Sequence, residues 1–323
     1  MLPLPVAAFL EVLSLPRPLQ KLKNDLIYYA VRVFLFFLDL FPYKLLQLLG
    51  EEFGRLVFFL AVGERRKTIK NLHLAYGGKW TEKEIKRVAL NVLKKMGQNL
   101  FEVLRWRNWS PKKLISLVAR TNGMENMEKA LKRGKGVLAV TAHLGNWEIL
   151  TCVAGFHFPG KMTVVARQLY DPRFDRLITD FRRSQGVEVV QRGLALRGML
   201  SALKQNHIVA VLCDQDTGRD GVFVPFFGVE AWTQSGPARI AYKTGAALIP
   251  SFVVRGGDGQ YEVHVEKEIE VPHTGNEEKD ILETVRRYTG IIETFVRAYP
   301  DQWVWMHERW KTRPSNENLN DKA

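Results

Sequence analysis

The 323-residue chain is 46% hydrophobic, which excludes global disorder, and its length holds one large or two ordinary domains. Its 47 Lys and Arg against 34 Asp and Glu leave a net charge of +13, which calls for a polyanionic partner: nucleic acid, an anionic membrane surface or phosphorylated substrates. Two cysteines, Cys152 and Cys213, both inside apolar runs, exclude a disulfide framework, and the scattered histidines lack zinc-ligand spacing, so no structural metal and no cofactor is expected.

Met1 to Leu15 is apolar without a basic leader, which argues against a cleaved signal peptide. Leu26 to Leu38 is strongly apolar but holds Arg32, and Asp39, Pro42 and Lys44 follow before Leu45 to Leu49. A spanning helix wants about 20 apolar residues, and a central Asp costs about 2.5–3.5 kcal/mol. These residues predict a monotopic or interfacial helix over a full span; the plainer alternative is a core helix with a snorkelling Arg32. The apolar N-terminal third and the aromatic content favour a membrane over nucleic acid. Glu64 to Leu72 is basic and helical, suited to lipid headgroups or to plain solvent. Thr81-x-x-Glu84 is a capping box, and it opens a helix whose apolar residues run from Ile85 to Val103 at helical spacing. Met124 to Arg133 reads as another helix, ended by Gly134.

From there strands and helices alternate. Strands are predicted at 137–142, 162–167, 187–190, 207–213, 247–255 and 261–270, and helices at 146–156, 172–184, 194–205, 236–244 and 277–298. Asp171-Pro172 and Ser235-Gly236-Pro237 start two of those helices. The alternation predicts an α/β fold with a mostly parallel central sheet and helices on both faces. Gly256 to Gly259 between two apolar runs predicts a hairpin that adds an antiparallel edge. Three parts are expected: an apolar membrane-anchoring segment over 1–60, an α/β domain over 61–313, and a polar, disordered tail over 314–323.

The most informative stretch is His143-Leu144-Gly145-Asn146-Trp147-Glu148, directly after the β-branched run Val137 to Ala142. On one regular helix five steps of about 100° would place His143 and Glu148 roughly 140° apart, on different faces. Across a strand-to-helix turn they can meet, as a base and the carboxylate that holds its other ring nitrogen. The plainer reading is a capping Glu beside an ordinary His. Sites in open α/β sheets gather beyond the carboxyl ends of the strands, and His143, Arg167 and Asp214 all fall there.

Four ordered blocks over residues 26 to 313 resemble the bacterial lipid A biosynthesis acyltransferases, the lauroyl and myristoyl transferases of the lysophospholipid acyltransferase superfamily. His143 to Glu148 is similar to that family's His-x-x-x-x-acid motif. Asp214-Gln215-Asp216 with Gly221 to Gly228 resembles its third block, Gly245 to Pro250 its fourth, and Gln302 to Lys311 its C-terminal signature. No Glu-Gly-Thr-Arg clamp is present, which speaks against a small glycerol-phosphate acceptor. The resemblance implies a glycerolipid-acyltransferase-like αβα fold anchored at the cytoplasmic face of the inner membrane. It also implies transfer of an acyl chain from a thioester, on acyl carrier protein or coenzyme A, to a hydroxyl of a lipid A precursor. In that reaction His143 is the general base held by Glu148, and no acyl-enzyme forms. The backbone N–H groups around Gly145 and Asn146 are the expected oxyanion donors.

Arg182 and Arg183 resemble the arginine of the second block, without distinguishing which one aligns. Either can grip an acceptor phosphate or simply complement a helix C-terminus. Arg167 can serve the same phosphates or the carrier's phosphopantetheine. Asp214-x-Asp216 is a weak metal pair; the resemblance implies instead a substrate-binding role, with Asp214 orienting an Arg or the substrate. Val222 to Phe227 suits either an acyl tunnel or a core segment, and Trp303, Trp305 and Trp310 either an interfacial belt or packing on the sheet. Other readings are transfer to an aminolipid, a glycosylated phosphoinositide or a lysophospholipid, a hydrolase, and a non-catalytic basic surface protein that binds membrane or nucleic acid.

Overall fold

The computed structural model describes residues 17–166, 168–191, 195–218 and 220–314. Met1 to Leu15, the tail beyond Pro314 and Arg167 lie outside the described residues. The N-terminal part is helical: α1 (Arg17–Leu40), α2 (Tyr43–Leu60), α3 (Val62–Tyr76), the long α4 (Glu82–Trp106) and the short α5 (Pro111–Ile115). The rest alternates: β1 (Val118–Asn122), α6 (Met124–Leu131), β2 (Val137–Thr141), α7 (Trp147–His157), β3 (Met162–Ala166), α8 (Pro172–Ser184), β4 (Val187–Gln191), α9 (Ala195–Lys204), β5 (Ile208–Leu212), β6 (Gly221–Phe226), β7 (Val229–Gln234), α10 (Gly236–Thr244), β8 (Ala247–Arg255), β9 (Tyr261–Val265) and α11 (Glu277–Ala298).

Seven strands form one sheet in the order β1-β9-β8-β2-β5-β3-β4. Every neighbouring pair is parallel except β8–β9. Alternate side chains of β2 feed two separate cores. Leu138 and Val140 pack with residues of α4, α9, α10 and α11. Val137 and Ala139 pack with residues of α5, α6, α7 and α8. The sheet is thus a mixed, mostly parallel layer with helices on both faces, and β2, buried at all five positions, is its centre.

Two strand features differ from the expectation. The β8–β9 hairpin forms, but β9 is not the edge, because the polar strand β1 pairs beyond it in parallel. Residues 221–234 form a separate antiparallel hairpin. Its two-residue loop, Phe227-Gly228, has φ of +56° and +78°, the conformation a type I′ turn requires. Pro225 inside β6 masks the strand in a sequence reading, since a proline cannot donate to a central ladder. Val224, Phe226 and Phe227 are buried in the core beside Trp303, Trp305 and Trp310. The acyl-tunnel and interfacial-belt readings of these residues are therefore set aside for packing.

The N-terminal helices lean on α4. The capping box of Thr81 and Glu84 opens α4 as expected. Helix α2 crosses it at glycines: a Cβ on Gly54 would stand 2.1 Å from the Leu93 carbonyl oxygen, and one on Gly97 2.1 Å from that of Gly50. The outward face of α1 and α2 is apolar and uncovered. Leu22, Leu26, Phe36, Leu40, Leu56 and Leu60 are each more than half exposed. Among the described residues no helix is long and apolar enough to cross a membrane.

Candidate active site

Strand order brings the site together. Strands β2 and β5 are parallel neighbours with Thr141 opposite Leu212, and Cys213 N–H donates to the Thr141 carbonyl at 2.9 Å. Two residues past each strand end, His143 and Asp214 therefore emerge side by side. The His143 ring Nδ1 lies 2.9 Å from Asp214 Oδ1. Asp214 Oδ2 accepts the His143 backbone N–H and the Trp303 indole N–H, each at 2.8 Å. Burial alone would push the Asp214 carboxyl up. The electrostatic attraction of the adjacent His143 ring and the hydrogen bonds from that residue outweigh that and hold the group well below the usual carboxylate range. An ionised Asp214 can only accept, so Nδ1 carries the proton toward it, and Nε2, 3.3 Å from the Gln215 side-chain amide nitrogen, is the accepting nitrogen of the ring.

This corrects the expectation that Glu148 holds the imidazole. Glu148 is in the first turn of α7, and its two oxygens accept from Arg182 Nε at 3.0 Å and Nη2 at 2.6 Å. Burial raises its carboxyl, and the paired Arg182 guanidinium more than offsets this, lowering it to about 2. The pair fastens α7 to α8. A carboxyl held below its unfolded value of 4.5 contributes stability in full above about pH 4.5, and that contribution is lost as pH falls through about 2. Glu148→Gln is accordingly expected to be less stable at neutral pH and to lose less stability than wild type between these pH values. Parallel slopes in thermal melts across that range would remove the pair from the acid response.

The other expected residues scatter. Gly145 sits at φ +58°, where a Cβ would lie 2.2 Å from the Val253 carbonyl oxygen, so glycine is required there. Its N–H already donates to the Gln302 carbonyl at 3.0 Å, so it is not a free oxyanion donor as expected. Asn146 is the cap residue of α7; its side chain makes no cap hydrogen bond, and its carbonyl accepts the Ile149 N–H at 3.0 Å. Arg182 faces Glu148, whereas Arg183 is exposed and lines a cleft of about 280 Å³ with Arg176, Asp175, Asp180, Thr179 and Gln191. Asp214 orients the histidine, not an arginine. Asp216 accepts the Gly218 and Thr312 N–H groups, each at 2.8 Å, and so ties two loops together. Among the described residues no group of three or more His, Cys, Asp or Glu side chains could hold a metal ion.

Sequence reasoning did not single out the C-terminal contribution. Val304 N–H donates to the His143 carbonyl at 3.2 Å, and Trp303 caps Asp214. The His307 ring centroid is 5.1 Å from that of His143, and Gln215 Nε2 touches both rings. Burial first, then the neighbouring His143, lowers His307 to about 3, so it stays neutral. Asn71 of α3 donates to the carbonyls of Trp305 and His307 at 2.7 Å each and fixes this loop. The signal for Trp303, Val304 and His307 was the C-terminal block of the resemblance, and for Gln215 its third block.

A family model described as bacterial lipid A biosynthesis acyltransferase matches residues 18–312. A lipid A biosynthesis lauroyltransferase of Escherichia coli (strain K12) is 29% identical over 277 residues, 84% of this chain and 87% of the relative. A lipid A biosynthesis palmitoleoyltransferase of the same strain is 30% identical over 287 residues, 86% and 88%. A phosphatidylinositol mannoside acyltransferase of Mycobacterium tuberculosis (strain CDC 1551 / Oshkosh) is 27% identical over 227 residues, 68% of each chain.

Proposed function

Since the chain belongs to the bacterial lipid A biosynthesis acyltransferase family and is an acyltransferase, we propose that it moves an acyl chain from an acyl thioester, carried by acyl carrier protein, to a hydroxyl of a lipid A-type acceptor. The observation that carries this reading is the His143–Asp214 pair at the carboxyl ends of β2 and β5. An alcohol is a poor nucleophile at neutral pH until a base removes its proton. His143 Nε2 takes that proton as the acceptor oxygen attacks the thioester carbonyl. Asp214 stabilises the imidazolium that forms. The N-terminus of α7, from Asn146 onward, supplies N–H groups to the tetrahedral oxyanion. The carbon–sulfur bond then breaks, and His143 returns the proton to the thiolate. No enzyme nucleophile enters, and both buried cysteines are held as thiols by burial.

The cleft beside α8 suits a phosphate on the acceptor. Arg176 and Arg183 are seven residues apart on one face of that helix, and both are exposed. The test is mass spectrometry of products from purified enzyme, acyl carrier protein thioester and a panel of acceptors. A phosphorylated lipid A precursor should gain one acyl chain. Its dephosphorylated form should show a raised KM with wild type but not with Arg183→Ala. Acylation of a mannosylated phosphoinositide alone would move the acceptor to the alternative that the mycobacterial relative suggests. Thioester loss without any acylated lipid would mean a hydrolase.

The exposed apolar face of α1 and α2 supports a monotopic seat on the cytoplasmic side of the inner membrane. Basic residues Lys21, Lys23, Arg32, Lys44 and Arg55 are interspersed among these apolar positions and suit anionic headgroups. Removing a buried apolar side chain costs about 1.5–3 kcal/mol. Leu26→Ser and Leu56→Ser are each expected to lower partitioning into anionic phospholipid vesicles by roughly tenfold, read by co-sedimentation. Equal sedimentation of wild type and both variants would place the contact elsewhere.

A further inference from the structure

Another buried carboxylate, apart from Asp214 and Glu148, ties the apolar-faced helix α2 to the turn that carries the motif. Glu102 on α4 is fully buried. Its Oε1 accepts from the Tyr43 hydroxyl at 2.9 Å and from Gln47 Nε2 at 2.8 Å, both on α2. Its Oε2 accepts from Arg255 Nη2 at 2.5 Å, from the Tyr261 hydroxyl, and from Asn146 Nδ2 at 3.4 Å. A carboxylate in such a place is costly unless its lone pairs are filled, and here five donors from four other parts of the chain fill them.

The same network grips the backbone of the turn. Asn99, three residues before Glu102, accepts Arg255 Nη2 at 3.2 Å and donates Nδ2 to the Gly145 carbonyl at 2.7 Å. Gln302 clasps the Arg255 backbone in both directions, at 2.8 and 2.9 Å, and its own carbonyl accepts the Gly145 N–H. Both polar groups of Gly145 are thereby fixed, two residues from His143 and two before the first turn of α7. Glu102 makes no hydrogen bond to His143 or Asp214.

We infer that Glu102 is a positioning residue for acyl transfer: with Asn99 and Arg255 it sets the Gly145–Asn146 turn, and through the turn the approach of His143 and the α7 N-terminus to the reacting carbonyl. The inference rests on the acyl-transfer reading. A misplacement of about 1 Å in such a frame costs about 100-fold in rate with little change in ground-state binding.

The experiment uses full-length protein in detergent micelles with the variants Glu102→Gln, Glu102→Ala and Asn99→Ala. Asn99→Ala removes the bond to the Gly145 carbonyl and leaves the Glu102–Arg255 ion pair in place, so it serves if Glu102→Ala does not fold. Three quantities are read: kcat and KM for thioester and acceptor, melting temperature, and amide hydrogen exchange of the peptide spanning residues 143–150. The expected result is a kcat lower by about 10- to 100-fold, KM within about twofold, and faster exchange across 143–150 while β5 is unchanged. Glu102→Gln should recover part of the rate lost in Glu102→Ala, because one oxygen still meets its donors. Unchanged kcat with only a lowered melting temperature, a defect confined to KM, or a kcat loss without faster exchange in the turn would each overturn it. Absence of transfer in wild type would instead sink the acyl-transfer reading, and the exchange measurement would still decide whether Glu102 holds the turn.

Discussion

His143→Ala is expected to lower kcat by about 100- to 10,000-fold, the range over which a positioned general base acts, while KM for acceptor and thioester stays within a few-fold. The ring lies at the end of β2 with Nδ1 against an ionised partner, which leaves Nε2 as its accepting nitrogen. Its neighbour His307 cannot replace it at full strength, since burial, the larger cause of its lowered basicity, remains in the variant. Removing a group that acts only in the transition state reduces kcat and kcat/KM together. Steady-state kinetics on folded variant read this directly, and a kcat near that of wild type would remove His143 from the chemistry.

Asp214→Asn is expected to cost about 1,000- to 10,000-fold in kcat with the fold retained. The reason is the count of donors around the carboxylate. Oδ2 faces two, the His143 backbone N–H and the Trp303 indole, and Oδ1 faces one, the His143 ring. An amide has a single oxygen. It will face the two donors, which turns its NH2 toward the ring. Nδ1 must then accept, the ring proton moves to Nε2, and the base is lost to the wrong tautomer. Ring-nitrogen NMR shifts of His143 would report the tautomer alongside the rate. Glu148→Gln should slow the reaction far less, because its carboxylate meets Arg182 and not the imidazole. The reverse ranking of these two variants would return the orienting role to Glu148.

The elements that frame the site were legible, and the partner within it was not. The run Val137 to Ala142 reads as a strand because β-branched and apolar residues fill it, and Gly145 marks the break before α7. His143, the proposed base, stands at the end of that strand, where its spacing placed it. Which carboxylate reaches it depends on strand order: Asp214 is 71 residues away and arrives only because β5 inserts next to β2. Sequence spacing favours the near acid, Glu148, and it gives no warning that α8 returns Arg182 to claim it. β1 was missed because Val-Ala-Arg-Thr-Asn carries no alternation strong enough to mark a strand. The Phe227-Gly228 turn was missed because a phenylalanine at positive φ is rare and gives no turn signal. The Glu102 network was invisible for a related reason. In sequence Glu102 is one charge on a helix, and the crossing of α2 at Gly50, Gly54 and Gly97, together with Arg255, Tyr261 and Asn146 on its other side, buries it.

The most direct test of direct transfer with His143 as the base is a single-turnover reaction quenched in acid, with intact masses taken for both protein and lipid. Wild-type enzyme mixed with acyl carrier protein thioester alone should show no gain of mass. On addition of a hydroxylated lipid A precursor, the lipid should gain one acyl chain at a rate equal to thioester loss. A protein heavier by one acyl chain before the acceptor is added would contradict it.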